Sequence, residues 1–240
     1  MGEITGKVET ILAALRSQAK PASLAGMARF GINTTGTLGG ISLPTLRRMA
    51  RAYRGDHPLA LALWDSGVHE ARILASIVDD PLQVTPEQME RWAAEFDSWD
   101  VCDQVCSNLF ARTPHAVEKA RAWSARPEEF VKRAGFTLIA ALAVHARTMP
   151  DDVFMEFLPL IRREAADRRN FVRKAVNWAL RQIGKRNAVL HRAAVQTAHD
   201  MLASGERAVR WVASDALREL GSEAVQERLA RGARRTQSQR

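Results

Sequence analysis

Apolar residues recur along this chain at offsets of three and four, the period of a helix with one buried face, and Pro, Gly or Asn interrupt them at short intervals. The pattern predicts helices near 4–18, 22–31, 43–54, 57–65, 67–78, 86–95, 99–111, 114–125, 127–145, 151–166, 168–184, 187–203, 206–220 and 222–232. Pro44, Pro58, Pro86, Pro127 and Asp151 stand near predicted helix starts, where a missing amide is tolerated or a carboxylate is useful. The one long non-helical stretch, Gly31 to Ser42, is rich in Gly and Thr and is expected to be a mobile loop. Residues 233–240 are expected to be a frayed basic tail.

Several segments superimpose as versions of one unit. Residues 71–75, 131–135, 172–176 and 209–213 each begin an apolar helix with a basic second residue, namely Arg72, Lys132, Arg173 and Arg210. The last three recur at 41 and 37 residues, a period that fits helical-pair repeats of the HEAT or armadillo kind. Such units stack side by side and leave one row of helices lining a concave surface. Some of the four cations are expected to brace a neighbouring repeat and the rest to face the groove.

Composition agrees with an all-α chain: 240 residues, 46% hydrophobic, a single Tyr, and few β-branched runs. The expectation is one helical-repeat domain over 1–232, with N-terminal helices at 1–56 and HEAT-like repeats from about 57 to 232. No apolar run reaches the roughly 18–20 residues needed to span a bilayer, and the N-terminus lacks a secretory apolar core. A cytoplasmic protein without membrane contact is therefore expected. Cys102 and Cys106 are read as small packing residues, and no Cys/His spacing suggests a metal site or cofactor. His69 is read as structural, and Trp64, Trp92, Trp123 and Trp211 as core.

Charge is unevenly placed. The net +8 resolves into 23 Lys+Arg against 13 Asp+Glu over residues 121–240, or +10, and 12 against 14 over residues 1–120, or −2. A basic half points first to nucleic acid, through neutralised phosphates and released counterions. The alternative is a solvated basic surface.

Within the predicted helix from 99, the sequence Ser98-Trp99-Asp100-Val101-Cys102-Asp103 sets an indole and a carboxylate four residues apart. At about 100° per residue, Asp103 lies about 40° around the helix from Trp99, so both face one space. An aromatic wall beside an acid suits a developing cation. Asp100 is read as a residue that caps or braces the helix.

Six blocks in order, on an all-helical background, resemble the AlkD-type DNA alkylation repair glycosylases, a family built from HEAT-like repeats. They are residues 26–32, 40–44 with Arg47 and Arg48, 63–65 with 69–70, 98–103, Lys132-Arg133, and 171–181, and the likeness spans about residues 20–220. The resemblance implies that Trp99 and Asp103 belong to the active surface, that Trp178 is its second tryptophan, and that Arg133 contacts the lesion-strand backbone. Lys132, Arg173, Lys174, Arg47 and Arg48 are the further candidates for DNA contact. Phe30 stands where the best-known branch has a tyrosine, which keeps a π face and loses a hydroxyl.

The implied partner is double-stranded DNA carrying purines alkylated at N3 or N7, bound in a basic groove without a deep base pocket, by a monomer with no obligatory protein partner. Loss of a cationic base leaves positive character on the deoxyribose. Asp103 would stabilise that charge and orient a water, while Trp99 and Trp178 would each add roughly 0.5–2 kcal/mol of cation–π attraction. Neutral lesions would be poor substrates. A non-catalytic binder of bent or branched DNA is the main competing reading, and a helical-repeat adaptor for acidic proteins is a third.

Overall fold

The computed structural model describes residues 2–237, and among them every regular element is helical. Fourteen α-helices follow the expected order: α1 (Gly2–Gln18), α2 (Leu24–Arg29), α3 (Leu43–Met49), α4 (His57–Asp65), α5 (His69–Val78), α6 (Pro86–Ala94), α7 (Trp99–Asn108), α8 (Ala116–Ser124), α9 (Glu129–His145), α10 (Asp151–Glu164), α11 (Asn170–Gly184), α12 (Ala188–Ala203), α13 (Arg210–Leu220) and α14 (Glu223–Gln237). The expected helices at 22–31, 43–54 and 99–111 each include a short 3-10 turn, at Pro21–Ser23, Ala50–Tyr53 and Phe110–Arg112. Helix α14 runs to Gln237, so the backbone over 233–237 is helical where fraying was expected; residues 238–240 lie outside the described residues.

Local chemistry explains the boundaries. Side chains of Ser42, Asp56, Thr85 and Asn187 accept amide hydrogens from the first turns of α3, α4, α6 and α12, and Pro44, Pro58 and Pro86 occupy early positions where no intrahelical donor is lost. The chain divides into two compact units, Met1–Ala116 and Val117–Arg240.

In the first unit α4 packs along α5, α5 lies beside α7, and α1 rests on α4 and α5. Its core is aromatic: Trp64 and Trp92 stack with centroids 4.1 Å apart, and Phe96 and Phe110 close around them. Trp64 Nε1 donates to Glu95 at 2.8 Å, and Arg72 both binds that carboxylate at 3.0 Å and lies over the Trp64 ring. Arg72 therefore braces the repeat rather than facing outward.

In the second unit α9, α11 and α13 form one row, with α10 and α12 packed against it. Every residue of α9 from Val131 to Ala143 is buried, which makes it the axis of the unit. Asn177 Nδ2 donates to the Val212 carbonyl at 3.0 Å and docks α13 on α11. Gly135 marks the closest helix approach here: a Cβ at that position would lie 2.6 Å from the Ser124 amide nitrogen, against backbone that cannot swing aside. Gly135→Ala is therefore expected to destabilise the protein by about 1–3 kcal/mol, read as a lower urea midpoint with an unchanged slope.

Candidate active surface

In the first unit the candidate residues gather at the start of α7. Ser98 is buried and extended, and its hydroxyl does not cap the helix in the usual way. It donates to Asp100 Oδ1 at 2.8 Å and accepts from the Asn33 amide at 3.3 Å. The same Asp100 oxygen accepts from the Val101 amide at 3.0 Å, and its partner Oδ2 lies 2.8 Å from His69 Nε2. The expectation that Asp100 braces this helix is met, and His69, 5% exposed, is its buried partner.

The Gly31–Ser42 segment is non-helical as expected, but it is fastened at several points. Glu70, itself buried, accepts from the amides of Leu38 at 3.0 Å and Gly39 at 2.8 Å. The Gly36 carbonyl accepts from the His69 amide, and Asn33 Nδ2 donates to Asp97 at 2.7 Å. Gly39 has φ +85°, and a Cβ there would meet Ser23 and Leu24 within 3 Å, so the loop takes a path that a larger residue would obstruct.

This scaffold fixes Trp99. Its Nε1 donates to the Phe30 carbonyl at 3.0 Å, which ties the indole to the end of α2. Trp99 and Asp103 are both half-buried, one turn apart, while Cys102 and Cys106 on the neighbouring stripe of α7 are fully buried, as packing residues should be. The Phe30 ring is 76% exposed, an unusual state for a phenyl group on a well-packed unit. Arg47 and Arg48, in the last turn of α3, are also exposed.

The second unit holds the other candidates. Trp178 is half-buried on α11; with its amide oxygen turned toward the indole, Gln182 accepts from Trp178 Nε1 at 2.9 Å and from Lys185 at 3.1 Å. Arg133, expected to reach a phosphate, is 6% exposed and donates through Nη1 to the Phe171 carbonyl at 2.6 Å. Lys132, expected at the DNA, is buried, with Nζ 2.6 Å from Glu164 and 3.5 Å from Asp167, and it braces α9 against α10 and the following turn. Arg173 is half-buried over the Trp211 ring, and Lys174 is exposed. Trp64, Trp92 and Trp123 are fully buried, but Trp211 is 39% exposed and is not core.

Sequence reasoning missed the roles of the Phe30 carbonyl and of Asn33, because backbone acceptors and loop amides leave no side-chain signature. The His69–Asp100 pair was also missed, because its partners lie 31 residues apart on different helices. Among the described residues no group of three His, Cys, Asp or Glu side chains is arranged to hold a metal, and no helix is long and apolar enough to cross a membrane.

The fold and these surfaces define an all-α protein of stacked helical pairs. The family model of the DNA alkylation repair enzymes matches residues 11–231, and the chain belongs to that family. Its fold is similar to a solved structure from a family related to the HEAT-like repeat DNA glycosylases with affinity for branched DNA structures, at a TM-score of 0.72 and 18% identity over 80% of this chain and 82% of that one. No curated protein matches the chain in sequence.

The His69–Asp100 pair has a pH signature. Burial pulls the His69 pKa down from its ordinary 6.5, but the Asp100 hydrogen bond, with the charges of Asp100, Glu70 and Asp97, leaves it raised. Burial pushes Asp100 up, yet His69, Ser98 and the Val101 amide leave it below its ordinary 3.8. The His69 contribution is complete below pH 6.5 and fades as pH rises through the raised value. The Asp100 contribution is complete above pH 3.8 and fades as pH falls through the lowered one. His69→Gln is expected to lose about 1–3 kcal/mol between those limits, with a smaller deficit at alkaline pH; melting curves across pH measure it, and a pH-independent deficit would count against the charged pair.

Proposed function

We propose that this protein is a DNA glycosylase that releases cationic N3- or N7-alkylated purines from duplex DNA by hydrolysing the N-glycosidic bond. The observation that carries the reading is the fixed Trp99, held by the Phe30 carbonyl, with Asp103 one helical turn further on and both partly open to solvent. Membership of the DNA alkylation repair enzyme family supports it.

The chemistry follows from charge. An alkylated purine is already a cationic leaving group, so the barrier lies in the positive character that grows on the deoxyribose as the bond breaks. Asp103 is proposed to stabilise that charge and to orient the attacking water. Trp99 is proposed to offer its electron-rich face to the sugar; Trp178, on the second unit, is proposed as a DNA-facing indole in its own right. Phe30, with its exposed ring, is proposed to pack against the DNA without the hydrogen bond a tyrosine could make.

Phosphate contact is proposed for the exposed cations Arg47 and Arg48 in the first unit and, separately, for Lys174 with its sequence neighbour Arg173 on α11 of the second; such contacts position the strand without reading sequence. Arg133, buried against the Phe171 carbonyl, is proposed to act mainly through its field on a passing phosphate. The site is proposed to need no metal and no cofactor, and the protein to act as a cytoplasmic monomer.

A second reading, a non-catalytic binder of branched DNA, draws on two points: Phe30 stands where the resemblance implies a hydroxyl-bearing ring, and the structurally similar protein comes from a family with affinity for branched DNA structures. Incubation with duplex containing N7-methylguanine separates the two. Free base should appear with the wild type, and Asp103→Asn should slow its release about a hundredfold or more with DNA affinity retained. Salt-sensitive binding without any base release would replace the first reading by the second.

A further inference from the structure

Trp211 departs from the other tryptophans outside the candidate active surface. Trp64, Trp92 and Trp123 are fully enclosed, whereas Trp211 leaves 39% of its surface open while its neighbours Val209 and Val212 are buried. The ring is not loose. Asn177 holds the adjacent Val212 carbonyl at 3.0 Å, and the Arg173 guanidinium lies 4.6 Å from the ring centroid. The Arg173 Nε is buried without a hydrogen-bond partner among the described residues, so this cation is committed to the ring rather than to a carboxylate.

The surrounding charge is distinctive. Elsewhere in the second unit Lys132, Arg169, Arg181, Lys185 and Arg218 are neutralised by Glu164, Asp167, Glu219 and Asp215. Lys174, Arg207 and Arg210 are exposed and form no ion pair among the described residues. A held, partly open indole with Arg173 at its ring, and with the exposed cations Lys174 and Arg210 next in sequence to Arg173 and Trp211, has the two components of a single-strand site: a π surface for a base and positive charge for its phosphate.

We infer that Trp211, with Arg173, Lys174 and Arg210, forms a site that stacks an unpaired base of single-stranded or branched DNA. In an intact duplex each base has its faces covered by neighbours, so the ring has nothing to stack on; an unpaired arm offers both a free face and a flexible phosphate. The site thus adds a preference for DNA with unpaired arms. This inference rests on the proposal that the protein binds DNA, and it names the form of DNA bound.

Fluorescence anisotropy with the full chain tests it, using a labelled duplex and the same duplex ending in an unpaired oligothymidine arm. Wild type should prefer the armed duplex by about tenfold, Trp211→Ala should abolish that preference, and Trp211→Phe should keep most of it. Thermal melting establishes that each variant is folded. Preference retained by Trp211→Ala overturns the site, as does a wild type that binds both DNAs equally; in the latter case DNA binding itself stands. Failure of the wild type to bind either DNA overturns the functional proposal and the site together.

Discussion

The first unit depends on how α7 begins. A helix start leaves amides without intrahelical partners, and here the ordinary capping hydroxyl is diverted. Asp100 takes over, gathering Ser98, Val101 and His69 on one carboxylate. Through Ser98 and His69 the same carboxylate is linked to Asn33 and to Gly36, so one half-buried anion sets the helix register and the path of the loop beside it. A half-buried carboxylate left without these donors would be costly, so the bonds support one another. Trp99 is the residue just before that anchor, and its indole nitrogen finds the Phe30 carbonyl because loop and helix are already in place.

That arrangement would supply what the proposed glycosylase chemistry requires. Electrostatic catalysis needs groups whose positions do not relax when charge develops. Asp103 inherits its position from a helix anchored one turn earlier, and Trp99 is fixed at both backbone and ring. In the second unit the equivalent order comes from the buried α9 and from internal ion pairs, which spend much of the unit's basic charge on structure. The net +10 of residues 121–240 therefore overstates what is free for DNA. Lys132 is the plainest case, a cation in the right motif whose charge is already matched by Glu164 and Asp167.

The fold was legible from periodicity, because a helix buried on one face writes its period into the chain and Pro and capping residues mark its ends. The 3-10 turns were not, since one turn of tighter winding leaves no separate pattern. Trp99 and Asp103 were legible as a pair because helical spacing alone puts them on one face. The fates of the cations were not: whether Arg72, Lys132 or Arg173 is internal depends on carboxylates and rings 23 to 38 residues away, such as Glu95 for Arg72 and Trp211 for Arg173. Trp211 misled for the same reason, as a tryptophan among apolar neighbours reads as core until the packing of adjacent helices is known. The Gly-rich loop reads as free because its anchors are amides bound by the distant Glu70.

The central claim is that Asp103 and its aromatic neighbours stabilise positive charge on the sugar and do not activate the leaving base by protonating it. Its most direct test is the single-turnover rate of base release from two duplexes that differ only in one lesion, the cationic N7-methylguanine or the neutral hypoxanthine. The account predicts rapid release of the first and none of the second above the uncatalysed rate. Comparable release of both would contradict it, because a neutral purine leaves only when something else supplies the proton.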